Sequence, residues 1–584
     1  MGGYSTINDK NFKVIGKPIK LKFNGITLNG FEGQSIAALL YSKGIRGLRN
    51  SKSGDERGLF CGMGVCYECA VAVNGITGKR ACLEPAKDGT DVRSLDYKTP
   101  YNPIPPIISE YKIDSEKTYD IAIIGSGPAG LMAAKTLIGK GLKVVIIDER
   151  FGLGGQYFKQ LAKSHSFENK SLNDYQYRRG SELIKQVQNS DTEVKLGSTV
   201  IASEKISNNH LNISLLKNEV MELINAKRII FCTGAYEIAR PFPGWTSPNI
   251  ITTGAAQSLL RSYRLNAGKE IVIAGNGPLN FQLAAELIDN GAKLKGVIEA
   301  SPNPFPFKTI SLIKSMFYDP NLMIQGSTYL AKLILNRVPI LFKHHVNEVL
   351  GKNPSTIKVS PILDGGKLDI NKNVEFSADT LCVGYGFLSN DELPRLLGCK
   401  YEYKETGVSK IICDQYGRTS LNEVFVIGDG AKIGGAQVAE YEGKITGNII
   451  LQDFKLKKNV SKSLKYTKKV LNKKKKFQKA IWSVFKSEEI DLSVANDETI
   501  LCRCENVTSG EINSVLEAGY NDLSSIKRLS RAGMGRCQGR YCTNMLVNKL
   551  KNFTNIEKTF DSFNPQFPIK PIPISSILCE QPEW

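Results

Sequence analysis

Histidine is nearly missing from this sequence, with four residues in 584. His165, His210, His344 and His345 form no pattern with serine or aspartate, so a Ser–His–Asp nucleophile is not legible. Long apolar runs are missing too. No segment offers the ~18 uncharged apolar residues that a spanning helix needs. Met1-Gly2-Gly3-Tyr4 runs into polar residues without the apolar core of a secretory signal, which predicts a cytoplasmic protein. Acidic residues are in deficit, 57 against 77 basic ones, giving a net charge of +20. Such a surface could attract nucleic acid, anionic lipid or an acidic partner, or be only a lysine-rich solvated face. No interleaving of aromatic and basic residues accompanies the charge, so nucleic acid is not expected as a partner.

Cysteine, by contrast, is well supplied, with thirteen residues. In a reducing compartment they point away from a disulfide framework and toward metal or redox use. The length allows roughly three or four domains.

Residues 119–156 read YDIAIIGSGPAGLMAAKTLIGKGLKVVIIDERFGLGGQ. A buried apolar strand, Ile121 to Ile124, stops at Gly125-Ser126-Gly127-Pro128-Ala129-Gly130, and a helical period follows as far as Gly141. A second strand, Val144 to Ile147, ends in Asp148-Glu149-Arg150. This is a βαβ unit with G-x-G-x-x-G at its first turn. Gly125 allows the tight turn, Gly127 lets backbone approach a pyrophosphate, and Gly130 lets helix and strand pack closely. The helix start offers N–H groups to phosphate. Glu149, nineteen positions after Gly130, is placed to accept a ribose hydroxyl.

Two further signals belong with it. Arg228 to Tyr236 is a strand running into Thr233-Gly234-Ala235, and Val424 to Gly430 is a strand running into Gly428-Asp429. In oxidoreductases with two dinucleotide domains, the aspartate in that place meets the ribityl chain of FAD. The following GGAQVAEYEG opens a helix toward pyrophosphate or flavin. Together these make FAD the expected occupant of the first site. Between them lies a second βαβ unit, Glu270 to Ala300, with Gly275-Asn276-Gly277-Pro278-Leu279-Asn280 at its turn. Asn280 replaces the third glycine, so helix and strand should stand further apart. Whether this second site holds NAD is open.

Cysteine spacing adds two more sites. Ile19 to Phe23, the turn Asn24-Gly25 and a short helix from Ser35 to Gly44 suit a ferredoxin-like β-grasp domain. Cys61, Cys66 and Cys69 follow in C-x4-C-x2-C spacing, with Cys82 across a hairpin that turns at Asn74-Gly75. That spacing fits a plant-type [2Fe–2S] cluster. Gly62 and Gly64 free the loop backbone to aim N–H groups at its sulfurs. Near the other end, Cys502 and Cys504 form C-x-C, and Cys537 and Cys542 form C-x4-C. Two short helices are expected between the pairs, one starting at Ser509 and ending at Gly519. Zinc is the competing occupant in both places. A C-x-x-C dithiol beside the dinucleotide motifs is lacking, since Cys66 to Cys69 belongs to the first cysteine loop.

The expected fold is therefore α/β: a Rossmann-like core with two dinucleotide-binding domains, an N-terminal β-grasp [2Fe–2S] domain and a small helical C-terminal [2Fe–2S] domain. We place the first cluster domain at 1–98 and a proline-rich linker at 99–118. The discontinuous FAD domain takes 119–240 and 380–453, around an NAD-like insert at 241–379. A basic helical connector, 454–495, could be a membrane or partner docking helix or a solvated strut. The second cluster domain takes 496–552 and a tail 553–584.

Taken together, the motifs resemble the large (α) subunits of heteromeric FAD-dependent amine and amino-acid dehydrogenases. That family includes hydrogen cyanide synthase, opine oxidases, hydroxyproline and proline dehydrogenases, and sarcosine oxidase. The resemblance rests on FCGMGVCYECAVAVNG, IGSGPAGLMAA with DERFGLGGQ, TGAYEIARPFPGW, VGYGF, GDGAKIGGAQVAEYEG and the cysteine-rich CRCENVTSGEI…KRLSRAGMGRCQGRYC. It implies FAD contacts along Gly125–Gly130, Asp148–Arg150 and Gly155–Gln156, as well as at Thr233, Gly234, Gly428 and Asp429. The second C-x-C…C-x4-C set resembles that of bacterioferritin-associated ferredoxin. The resemblance further implies an FAD-containing β subunit where the amine is oxidised, in a hetero-oligomer, sometimes with FMN at the subunit interface. In some members the first site holds NAD or ATP instead, and that stays open. The chain would then relay electrons onward to an acceptor that the sequence does not name. A self-contained NAD(P)H oxidoreductase and a non-catalytic, cofactor-bearing scaffold are the alternatives.

Overall fold

The computed structural model describes residues 12–96, 117–167, 174–306, 308–352, 355–403, 409–457, 461–489, 494–554 and 563–576. The proline-rich linker expected at 99–118 lies almost wholly outside them.

The first unit is a five-stranded sheet in the order Ile26–Phe31, Pro18–Phe23, Asp91–Ser94, Ala70–Val73, Ile76–Arg80. Pro18–Phe23 alternates strictly, with Ile19, Leu21 and Phe23 turned inward, as a half-buried strand must. Asn24 and Gly25 both adopt positive φ, 49° and 84°, which the tight hairpin requires. Ser35 caps the helix Ile36–Ser42, whose side chains through Tyr41 are all buried. This is the expected β-grasp arrangement. It is not an independent bead, however. Its Leu21, Leu39 and Val92 share one continuous apolar core with Ile251, Ala255 and Leu283 of the inserted domain.

The first dinucleotide sheet is centred on Thr118–Ile124, with Val144–Asp148 on one side and Val220–Phe231 on the other, all parallel. Val424–Val426 extends it on the far side of Val220–Phe231, also in parallel. The register Ile147↔Ile124↔Phe231↔Val426 brings four carboxyl ends to one edge. Ligands of open α/β sheets bind outside that edge.

The second sheet runs Ile250–Thr252, Thr380–Gly384, Glu270–Gly275, Lys293–Glu299, Ile340–Phe342, again parallel throughout. Thr380–Gly384 thus lies inside the inserted domain rather than opening the second half of the FAD domain at 380. All five of its residues are buried, and it hydrogen-bonds on both sides. No break in hydrophobicity marks that boundary.

The basic connector forms the helix Ser461–Val484, packed against Thr309–Tyr318 and Ala436–Asp453. In the C-terminal domain the expected helices are Ser509–Glu517, with a full capping box between Thr508 and Glu511, and Leu523–Ser530. A third, Thr543–Thr554, follows directly on Cys542.

Candidate functional site: a dinucleotide cavity and two cysteine sets

Gly125 adopts φ +102°, and a Cβ there would stand 2.3 Å from the Cys232 carbonyl. A Cβ on Gly130 would stand 2.0 Å from the Gly125 carbonyl. Both positions admit glycine alone. At Gly127 a Cβ would meet nothing within 4 Å, so the absent side chain leaves room for a ligand rather than for protein. Helix Pro128–Leu137 starts here with no side chain capping it.

The two acids after Val144–Ile147 divide their work unexpectedly. Asp148 Oδ2 accepts from the Ser126 N–H at 2.8 Å and hydroxyl at 2.6 Å, so it clasps the glycine turn. Glu149, expected at a ribose, is held by Arg80 at 2.9 Å and Lys570 at 2.5 Å. Its carboxylate still lines the cavity, but its charge is already met from the β-grasp unit and the C-terminal segment. Burial opposes ionisation there, yet Lys570 and Arg80 outweigh it and hold the carboxyl at about 2.

The other expected positions converge. Gly155 packs so closely that its Cβ would stand 2.8 Å from Gly127 Cα, and Arg150 donates to the Gly155 carbonyl at 3.2 Å. Asp429 Oδ1 accepts from the Gly434 and Gly435 N–H groups at 2.8 and 2.9 Å, fixing the start of helix Ala436–Asp453. Gly127–Ala129, Asp148–Arg150, Gly155, Gln156, Thr233, Gly234, Gly428 and Asp429 line one cavity of about 940 Å³. Met63 and Val65, from the first cysteine loop, form part of its wall.

Two lining residues have no signal in the sequence. Lys159 is buried, donates to Gln257 Oε1 at 3.2 Å, and is pushed down to about 7 by burial and then by Arg150. Glu237 accepts from the Gly254 N–H at 2.9 Å and is pushed up to about 7 by burial. Their neighbours come from distant segments, so no local spacing reveals them.

The second glycine turn is built differently. Glu299 takes the clasping role, accepting from the Gly277 N–H at 3.1 Å and from Asn276 Nδ2 at 2.8 Å. The Asn280 amide is buried, donating to the Gly384 carbonyl at 3.0 Å and accepting from Thr253 Oγ1 at 2.9 Å. Trp482 lies over the turn, so close that a Cβ on Gly277 would stand 3.2 Å from its ring. Asn276 Nδ2 also reaches the Phe485 carbonyl at 2.9 Å. The basic helix thus ends as a cover on the place where a second pyrophosphate would lie. Equilibrium dialysis should accordingly show NADH binding weakly or not at all, and more tightly after Trp482→Ala. Tight binding by the unaltered chain would contradict the cover.

Cys61, Cys66, Cys69 and Cys82 are all buried. The Met63 and Glu68 N–H groups point at the Cys61 and Cys66 sulfurs, each at 3.5 Å. Positive φ at Gly62, Gly64 and Tyr67 wraps the loop. In the second set the Cys504 sulfur lies 3.8 Å from that of Cys502 and 3.6 Å from that of Cys537. A Cβ on Gly535 would stand 2.4 Å from the Cys504 sulfur, so this close approach needs glycine. Burial pushes the Cys66 thiol far up, and Cys504 followed by burial does the same to Cys537. Four thiolates can share such a place only with bound positive charge. Among the described residues no three His, Cys, Asp or Glu side chains converge to hold a single ion. Each set supplies four closely placed thiols, the number a [2Fe–2S] cluster takes.

This fold and this cavity define a flavin-type oxidoreductase core with an iron–sulfur domain at either end. The family described as pyridine nucleotide-disulphide oxidoreductase matches residues 119–443, over half of the sequence, and the chain belongs to it. A 2Fe-2S iron-sulfur cluster binding domain matches 16–97, and a BFD-like [2Fe-2S] binding domain matches 500–552. Hydrogen cyanide synthase subunit HcnB of Pseudomonas protegens is 28% identical over 471 residues, 78% of this chain and 96% of that protein. An opine oxidase subunit from Agrobacterium tumefaciens is 26% identical over 478 residues, 80% and 92% of the two chains. The crystal structure of L-proline dehydrogenase from P. horikoshii shares the fold, with a TM-score of 0.71 and 21% identity. It matches 99% of this chain and 100% of that one. The resemblance read from the motifs is borne out. No helix among the described residues is long and apolar enough to cross a membrane.

Proposed function

We propose that this chain is the electron-transferring subunit of a heteromeric amine or amino-acid dehydrogenase, with FAD in the first dinucleotide cavity and a [2Fe–2S] cluster in each cysteine set. The observation that carries the proposal is the shared wall: Met63 and Val65 of the first cysteine loop line the same cavity as Gly127 and Asp429. A flavin would supply exchange between two-electron and one-electron chemistry, and the clusters would supply one-electron storage. The protein's part is to orient and to exclude water. Gly127 opens the pyrophosphate place, Asp429 sets the helix start, and the buried cysteine loop closes one end. That both relatives are named as subunits supports a partner chain that oxidises the amine. The cover of Trp482 over the second glycine turn counts against a self-contained NAD(P)H enzyme.

Native purification tests this. The expected result is a second flavoprotein in stoichiometric amount, with bleaching of the flavin absorption band on adding the partner's amine and not on adding NADH. A partner of about 40 kDa, the size of a flavin domain plus a substrate domain, would suit. Full amine-dependent activity from the isolated chain would refute the subunit role.

A further inference from the structure

In sequence order the two cysteine sets flank the flavin core, Cys61 to Cys82 before it and Cys502 to Cys542 after it. In space they are neighbours. Phe60, Cys61, Cys66, Cys502, Tyr541 and Cys542 belong to one continuous buried core. Glu68, between two cysteines of the first loop, is 1% exposed. Its Oε1 takes Arg49 at 2.6 Å, and its Oε2 lies 3.3 Å from the guanidinium of Arg503. Arg503 sits between Cys502 and Cys504, so this ion pair joins the two cysteine loops directly. The Arg49 charge reaches both Cys66 and Cys504.

A second contact runs beside the first. Phe60 precedes Cys61, and Tyr541 precedes Cys542. Their rings meet edge to face with centroids 5.6 Å apart. Arg503 stacks on Phe60 at 4.0 Å and on Trp245 at 4.6 Å, closing the gap between ring contact and ion pair. Phe60, Arg503 and Tyr541 are all buried where the loops meet. The second set stands apart from the cavity. Among the described residues, none of those at 500–552 lines the cavity, whereas Met63 and Val65 do.

We propose that Glu68, Arg503, Phe60 and Tyr541 form a bridge for electrons between the two cysteine sets, with the first set standing between the cavity and the second. The proposal rests on the reading that both sets hold [2Fe–2S] clusters. Each transfer across the bridge moves one electron, lost by the first centre and gained by the second. No bond is made or broken, and no proton moves. A two-electron donor in the cavity is then drained by two successive one-electron steps in a single direction. Glu68 acts as a positioning residue. Its carboxylate, between Cys66 and Cys69 in sequence, draws both loops together through Arg503, in a cluster completed by Arg49 and Arg57.

Low-temperature EPR of the full chain, reduced stepwise with dithionite, tests this. The fully reduced protein should show two [2Fe–2S] signals split by mutual spin interaction. The splitting should vanish in Cys502→Ser/Cys504→Ser, which keeps the first set alone. Glu68→Gln, which keeps the shape and removes the charge, should shift the midpoint potentials of both signals upward. Two signals that simply add in the fully reduced protein would overturn the bridge while leaving the cluster assignment standing. So would a Glu68→Gln shift confined to one signal. The absence of two [2Fe–2S] signals would instead refute the underlying reading. Should Glu68→Gln fail to fold, the spin interaction in the unaltered protein decides alone.

Discussion

Replacing Glu149 with alanine is expected to cost about 3–5 kcal/mol of stability, the usual penalty for stranding buried opposite charges. Arg80 and Lys570, whose side chains are 15% and 9% exposed, would both lose their common anion. The loss would not stay local. Arg80 also donates to the Gly64 carbonyl at 2.8 Å, inside the first cysteine loop. Glu149 is therefore a three-way tie between the dinucleotide sheet, the β-grasp unit and the C-terminal segment. The pH dependence has a definite sign. The folded carboxyl is held at about 2, well below its ordinary 4.5, so its contribution is complete above about 4.5 and fades as pH falls toward 2. Urea unfolding of the two proteins should show the widest gap at pH 7 and a narrowing one from about pH 4.5 downward. A gap that holds its full width at pH 3 would mean that the charge is not what stabilises the tie.

That tie also shows what the sequence conceals. The glycine turn, its two strands and its helix are legible because every constraint on them is local. Gly125 needs its φ, Gly130 needs the missing Cβ, and both signals fall within six residues. The cysteine sets are legible for the same reason, since chelation by a loop fixes spacing. Glu149 reads as a ribose ligand because an acid at that position often serves as one. Its partners within the chain, Arg80 and Lys570, lie 69 residues before it and 421 after it, and nothing near Glu149 announces them. Asp148 takes the local role instead, clasping Ser126 as Glu299 clasps Gly277 in the second unit. The adjacency of the two cysteine sets is hidden likewise, because Glu68 and Arg503 find each other only once three domains have packed. Asn280 reads as a spacer, yet its amide is buried as a cross-link to Gly384, and the residue that obstructs the turn is Trp482, about two hundred positions downstream.

Gly127→Ala should separate flavin binding from folding more cleanly than any other change in the first turn. Gly127 has φ −72°, a conformation any residue adopts, and its added Cβ would touch no protein atom within 4 Å. The fold should therefore keep its stability to within about 0.5 kcal/mol, as at other uncrowded positions. The methyl would instead stand where the pyrophosphate must approach the backbone. Losing one charge-assisted hydrogen bond to phosphate costs roughly 1.5–3 kcal/mol, so flavin should bind about 10- to 150-fold more weakly. Flavin content after dialysis, read against the unfolding midpoint, measures both halves of the expectation. Gly130→Ala is the contrast, since its Cβ would collide with the Gly125 carbonyl and should lower stability and flavin content together. Gly277→Ala is the comparison at the second turn: at φ +116° and with Trp482 3.2 Å from the added Cβ it should lower stability, while flavin content per folded protein should not change. If flavin were retained in Gly127→Ala and lost in Gly277→Ala, the two turns would exchange roles.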